Sequence, residues 1–444
     1  MTMTAPTDAL ADEAFETTYP LYEMARMRAT TSPRRTDTVG FPGEREDTPL
    51  RWCNVFVHAR KLLTAGKSRV VTPNNDTLYT NAWLDLGRGP LVIDVPDTAG
   101  RYYVLGFLDF WTNPFAHIGQ RLTGTGARSF LVTGPDWRGE LPEAFRAPGA
   151  HVASPTRWVW IIGRTIVQGP EDVPAVHALQ DRFVLRTLSD WRAGLAPRPL
   201  AFDPGPARAP MPDARTYAAV VCEALRGSPP AAGERERVAR YAALGLAADA
   251  PALDDATAER LSAAIARGLA RLRDTEFDGR AQGGWRHMPV LGTSFGTDYA
   301  KRALVALKYI GALESLEATY PMAHRDSNGE PLTGRHAYRI RFAPSALPPV
   351  DAFWSMTMYD ARDYMLVPNA IERYSIGDRT PGLVRDADGG LTIHLRHGEP
   401  ADSAARANWL PAPEAGFYLC LRAYIPRPEM LDGRYDLPSI ERVG

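Results

Sequence analysis

Two groups of apolar residues at helical spacing open the chain, Phe15, Tyr22 and Met24, then Val55, Leu62 and Leu63, with a Pro/Arg/Thr-rich stretch between them. They predict helices packed against a first sheet. Between residues 72 and 164 the rhythm shortens to β-prone runs: Leu91-Val92-Ile93, Tyr102-Tyr103-Val104-Leu105, Phe130-Leu131-Val132 and Trp158-Val159-Trp160-Ile161-Ile162. Gly, Pro, Asp and Asn punctuate them, which suits an antiparallel sandwich or jelly roll. At Pro170-Glu171-Asp172 a helix start introduces Val176, Leu179 and Phe183 on one face. Leu261, Ile265, Leu269 and Leu272 lie on a second helix, while stretches rich in Pro, Ala and Arg at 192–215 and 227–233 read as connectors. After a helix near 298–318, alternation returns. Tyr338, Ile340 and Phe342 oppose Arg339 and Arg341, and Leu391, Ile393 and Leu395 oppose Thr392, His394 and Arg396.

The expected fold is mixed and mainly β: two antiparallel β-sandwich or jelly-roll-like modules with an intervening helical region. The divisions fall at 1–70 (helical segment), 71–169 (first β module), 170–320 (helical region) and 321–444 (second β module). A length of 444 residues exceeds what one core usually serves. A faint echo links Tyr102–Phe110 with Phe353–Tyr359, both aromatic strands followed by turn residues.

Composition narrows the classes. With 51 basic and 52 acidic side chains, the chain lacks the basic excess of a nucleic-acid binder. Three scattered cysteines, Cys53, Cys222 and Cys420, build neither a disulfide framework nor a CxxC metal pair. The opening residues are acidic, without a signal-peptide core, and no stretch approaches membrane-spanning length. A cytoplasmic location without a membrane partner is therefore expected.

Two stretches carry a family resemblance: Pro73-Asn74-Asn75-Asp76-Thr77-Leu78-Tyr79 and Phe353-Trp354-Ser355-Met356-Thr357-Met358-Tyr359-Asp360. Supporting segments are Val95-Pro96-Asp97, Gly100-Arg101-Tyr102-Tyr103, Arg373-Tyr374-Ser375-Ile376-Gly377-Asp378-Arg379, Asn408-Trp409-Leu410-Pro411-Ala412-Pro413 and Leu421-Arg422-Ala423-Tyr424-Ile425-Pro426. Together they resemble the paired bacterial families called domains of unknown function 1254, N-terminal, and 1214, C-terminal. The resemblance implies two β-sandwich modules around a helical region and a tendency to oligomerise, hence a homo-oligomer. It supplies no reaction. Many relatives look exported, unlike the leaderless opening read here.

The densest polar cluster is Asn74, Asn75, Asp76, Thr77 and Tyr79, suited to binding a polar ligand or to proton transfer. An Asx-rich turn explains the same composition. Asp109 ends an apolar strand beside Phe107, Phe110 and Trp111, where desolvation raises proton affinity; it is the leading acid/base candidate, with turn capping or pairing with Arg101 or Arg164 as the alternative. Arginines in aromatic settings suit carboxylate or phosphate recognition, or structural stacking: Arg164, Arg286 after Trp285, Arg302 one turn after Tyr299, and Arg373 and Arg379 around Tyr374. Trp354 and Tyr359 complete the candidate binding residues.

Nine scattered histidines show no HxH or HExxH spacing, so no dedicated metal site is expected, although distant strands leave a divalent ion open. Gly292-Thr293-Ser294-Phe295-Gly296 spells a nucleophile elbow without the strand and α/β sheet that present one; it also offers a loop-to-helix anion site before Asp298. No phosphate-binding loop or βαβ unit is visible, so no organic cofactor is expected. The first expectation is an enzyme of small-molecule metabolism, hydrolase or lyase, with Asp76, Tyr79, Asp109 and Arg302 around a pocket between the β modules and the helical region. The second is a non-catalytic carbohydrate- or protein-binding β-sandwich using exposed Trp354, Tyr359 and Trp409.

Overall fold

The computed structural model describes residues 7–34, 50–66, 72–205, 208–276, 279–288 and 290–443. The first helix, Asp8–Thr31, starts where Thr7 Oγ1 accepts from Leu10 N at 3.2 Å. It is buried on all sides through its middle, so its hydroxyls find internal partners: Thr17 with Tyr241 at 2.9 Å and Thr18 with Tyr217 at 2.8 Å. Around it pack Ala214–Gly227, Asp255–Asp274 and Tyr299–Lys308. Gly268 permits the closest approach, since a Cβ there would stand 2.2 Å from the Phe15 ring. Trp83, Phe110, Trp158 and Trp160 of the first module join the same core, so this helix does rest on the first sheet.

The second apolar group, Val55 to Leu63, is not helical: it holds the short strand Val57–His58 and irregular chain. Its spacing is that of an edge strand followed by side chains packing on a neighbouring element, which a helical period mimics over so few residues. The Pro/Arg/Thr-rich stretch falls largely at 35–49, outside the described residues.

In the first module a five-stranded sheet runs Val57–His58, Thr77–Asp85, Trp158–Ile166, Tyr103–Leu108, Ala116–Gly119. A four-stranded sheet runs Val184–Thr187, Leu91–Val95, Arg128–Thr133, His151–Ala153. Ile93, Phe130, Leu105 and Val159 fill the space between them. In the second module the long strands Val350–Asp360 and Phe417–Pro426 centre one sheet, which packs through Trp354, Met356, Ile340 and Ile393 on a sheet containing Ala337–Phe342 and Leu391–Arg396. Two short pairings are parallel, Arg128–Thr133 with His151–Ala153 and Leu391–Arg396 with Trp409–Pro411. Among the described residues no helix is long and apolar enough to cross a membrane.

Strand register sets the distances that matter. Thr77 pairs with Ile166 and Asp85 with Trp158, while Tyr103 pairs with Thr165 and Leu108 with Trp160. Asp76 and Tyr102 therefore stand at one end of the five-stranded sheet, and Asp85 and Asp109 at the other, roughly 25 Å away at about 3.3 Å per residue. At the Asp76 end the two modules meet. The Phe353 and Tyr424 rings stack there at 4.3 Å, and Tyr102 lies edge-on to Phe353 at 5.4 Å.

Candidate functional site

The two signature stretches bind one another. Asn74 Oδ1 accepts from Asp76 N at 2.7 Å, the Asx turn that the composition allowed. That turn aims the remaining polar atoms at the second module. Asn74 Nδ2 donates to Tyr424 Oη at 2.6 Å, and Asp76 accepts from Ser355 Oγ at 2.5 Å and from Arg379 Nη2 at 2.8 Å. In return Tyr359 Oη donates to Pro73 O at 2.7 Å, and Arg422 donates to Thr72 O at 3.0 Å and Thr357 Oγ1 at 2.9 Å.

One strand over, Arg164 pairs in register with Tyr79, and its guanidinium lies 5.4 Å from the Tyr79 ring centre. Arg164 is 6% exposed and forms no ion pair among the described residues; its donors reach only Ile162 O at 3.4 Å and Gly311 O at 3.3 Å. The groups around it are Tyr79, Tyr102, Tyr320 and Tyr424. Burial pushes the phenols of Tyr102, Tyr320 and Tyr424 above their ordinary range, so they are neutral hydroxyls at physiological pH and offer the cation dipoles, while the carboxylate that senses its charge is that of Glu317. Among the described residues Tyr320 Oη, Asn75 Oδ1, Thr77 Oγ1 and both ring nitrogens of His117 are buried without a hydrogen-bond partner, His117 Nδ1 standing 4.0 Å from Glu314. Tyr79 and Tyr320 keep partial exposure.

Beside this group Tyr102 Oη donates to Glu317 at 2.8 Å, and Arg121 bridges Glu317 at 2.8 Å and Glu314 at 2.6 Å. Burial, with Arg121 and Arg164 nearby, drives His117 down to about 3, so its ring is neutral.

Asp109 and Arg302 lie elsewhere. They sense each other's charge, but Asp109 is spent as a turn cap: its carboxylate accepts from Trp111 N at 2.8 Å, Asn113 N at 2.9 Å and Asn113 Nδ2 at 2.8 Å. Arg302 pairs with Glu234 at 3.1 Å and stacks near Trp111 and Tyr299. The four-residue pocket of Asp76, Tyr79, Asp109 and Arg302 is thus divided by the length of a strand. Burial outweighs the three donors and pushes Asp109 from 3.8 up to about 6. A carboxyl that holds its proton more tightly folded than unfolded favours the fold below about pH 4, and that contribution is lost as pH rises through about 6, worth up to about 3 kcal/mol. Urea unfolding should therefore show the stability of wild type relative to Asp109→Asn falling between pH 4 and 7. A flat or rising difference would contradict it.

The other sequence candidates also separate from the seam. Trp285 is buried in the second module and donates to Pro438 O at 2.9 Å, whereas Arg286 is exposed and reaches Glu276 at 3.3 Å. Trp354 fills the space between the sheets of the second module, and Trp409 donates to Arg396 O at 2.8 Å, so neither faces outward. The Gly292–Gly296 stretch is loop, with Ser294 Oγ accepting from Gly296 N at 3.0 Å, and Asp298 itself caps the following helix. The three cysteines are free and buried. Among the described residues no three His, Cys, Asp or Glu gather as metal ligands. Sequence reasoning missed Arg422, Tyr424, Tyr320 and Glu317. Arg422 carries the signal that picked out Arg164, a cation within an apolar strand.

Residues 53–187 match the family described as "Protein of unknown function (DUF1254)" and residues 317–428 the one described as "Protein of unknown function (DUF1214)". No curated protein matches the chain. The crystal structure of the VPA0106 protein from Vibrio parahaemolyticus is similar, at 26% identity and TM-score 0.72, with 98% of this chain and 100% of that one covered. A weaker likeness, to an uncharacterized protein from Burkholderia cenocepacia, has 15% identity and TM-score 0.43 over 97% of this chain and 88% of that one, and carries no argument. The seam joins the two matched regions, and the chain belongs to the family that pairs a DUF1254 domain with a C-terminal DUF1214 domain.

Proposed function

We propose that the chain is an enzyme of small-molecule metabolism, a hydrolase or lyase working by acid/base chemistry without an organic cofactor, with its centre at Arg164 in the seam. The observation that carries this is a buried guanidinium with no ion pair among the described residues, ringed by phenols, while the Glu317 carboxylate that senses its charge is committed to Tyr102 and Arg121; a substrate anion would complete its hydrogen bonding. Arg164 would hold a substrate oxyanion. Tyr79 makes no hydrogen bond through its hydroxyl among the described residues and lies on the partly exposed side, so it is the proton donor; Tyr320 is its neighbour. Asp76 and Asn74 hold the loop that leads into the Tyr79 strand. Burial of Trp354, Tyr359 and Trp409 favours this reading over an exposed aromatic binding face.

The test is incubation of the protein with pooled small carboxylic acids, esters and lactones, followed by nuclear magnetic resonance. Tyr79→Phe should lower kcat at least about 100-fold, and Arg164→Gln should raise KM as well as lower kcat. Absence of any turnover, or turnover that both variants retain, defeats the proposal.

A further inference from the structure

At the far end of the five-stranded sheet from the seam, a cleft of about 610 Å³ opens between the strand ends at Asp85 and Trp158 and the helices Asp8–Thr31 and Ala214–Gly227. That volume falls in the usual range for small-molecule sites, roughly 300–1,000 Å³. None of the seam residues lines it.

One wall is aromatic, made by Phe110, Trp158 and Phe202. Against it lies Arg28, its guanidinium 4.2 Å over the Trp158 ring and 5.2 and 5.5 Å from Phe110 and Phe202. Arg28 is 4% exposed. Its Nη2 reaches Glu223 at 3.1 Å, but among the described residues its Nε has no hydrogen-bond partner. Glu223 is half exposed and divided between Arg28 and Arg208, which stands 3.6 Å away. Arg157 is committed to Asp85 through two hydrogen bonds of 2.6 and 2.7 Å. Arg88 and Arg226 also line the cleft; both are exposed, and among the described residues neither has a carboxylate partner, Arg226 Nη1 donating to Ala248 O at 2.6 Å and leaving its other donors for a ligand. Four guanidinium groups thus face three carboxylates, those of Asp85, Asp203 and Glu223, around a ring-lined wall.

We infer that this cleft binds a small aromatic anion, with its ring against Trp158 and Phe202 and its carboxylate or phosphate on Arg28, Arg88 and Arg226. The planar guanidinium fork matches both oxyanions, and the rings supply area that a bare ion leaves unused. A neutral apolar ligand would strip water from the arginines without replacing it. The site is independent of the chemistry proposed for the seam.

Titration calorimetry on the full chain with phenyl phosphate, benzoate and inorganic phosphate tests it. The two aromatic probes should bind with Kd at or below about 1 mM, and inorganic phosphate at least about tenfold more weakly. The double variant Arg88→Gln/Arg226→Gln, on the exposed rim, should keep the wild-type circular dichroism spectrum and lose at least about tenfold in affinity, with a smaller salt dependence. Arg164→Gln should bind as wild type does, which separates failure here from failure at the seam. The inference is overturned if neither aromatic probe binds, if inorganic phosphate binds as well as they do, or if the rim variant binds unchanged.

Discussion

Replacing Asp76 with alanine is expected to destabilise the protein by about 3–5 kcal/mol, the loss seen when one partner of a buried, hydrogen-bonded charge pair is removed. Asp76 is 6% exposed and accepts from Arg379 and from Ser355 Oγ; Arg379 also donates to Val167 O at 2.7 Å and its Nε lies 3.6 Å from Asp378. Without the carboxylate, the Ser355 hydroxyl inside the second module loses its acceptor, and the cation over the Phe353 ring is left with Val167 O and the longer contact to Asp378. Urea unfolding measures the loss. Limited proteolysis should show faster cleavage, because the same residue ties the loop of one module to the sheet of the other. The double variant Asp76→Leu/Arg379→Met should recover much of the stability, since apolar groups of similar size replace both charges. A loss below about 1 kcal/mol in Asp76→Ala would mean that the other contacts between the modules, Asn74 with Tyr424, Tyr359 with Pro73, Arg422 with Thr72 and Tyr102 with Phe353, hold them without this pair.

A much smaller effect is expected one strand away. Arg164→Met should leave stability within about 1 kcal/mol of wild type while abolishing turnover, because the wild-type guanidinium has no ion pair among the described residues and only long contacts to two carbonyls. Thermal and urea unfolding of Arg164→Met beside wild type decides the matter. A fall of more than about 2 kcal/mol would make Arg164 a structural cation and remove the main support for catalysis at the seam.

The candidate site was partly legible in the chain. The cluster from Asn74 to Tyr79 and the apolar strand ending before Arg164 were both singled out, and the structure sets Tyr79 and Arg164 opposite each other in register. Asp109 and Arg302 failed as members of that site for a simple reason. A carboxylate beside aromatic rings in sequence looks the same whether it faces a cavity or closes a turn, and here three backbone and side-chain donors from Trp111 and Asn113 had already claimed it. Trp285 and Arg286 stand out as an arginine beside a ring and Trp354 by its place in a signature stretch; the first two lie on a short strand away from the seam, and alternation turns Trp354 into the core of the second module while Phe353 and Ser355 on the same strand reach the seam. The aromatic cleft at Arg28 left no local signal, because its residues come from positions 25–28, 85–110, 157–158, 200–203 and 220–227.

Alternation at 337–342 and 391–396, the aromatic β runs, and the four-residue periodicity at 261–272 determined the elements by themselves, since side-chain period is a property of each segment alone. Which ends of those elements meet was decided only by tertiary structure. Strand register places Asp76 against Ser355, Arg379 and the second module while sending Asp109 roughly 25 Å down the same sheet. Asp109 is satisfied by neighbours two and four residues away, but the partners of Asp76 lie hundreds of residues distant, and no local pattern encodes them.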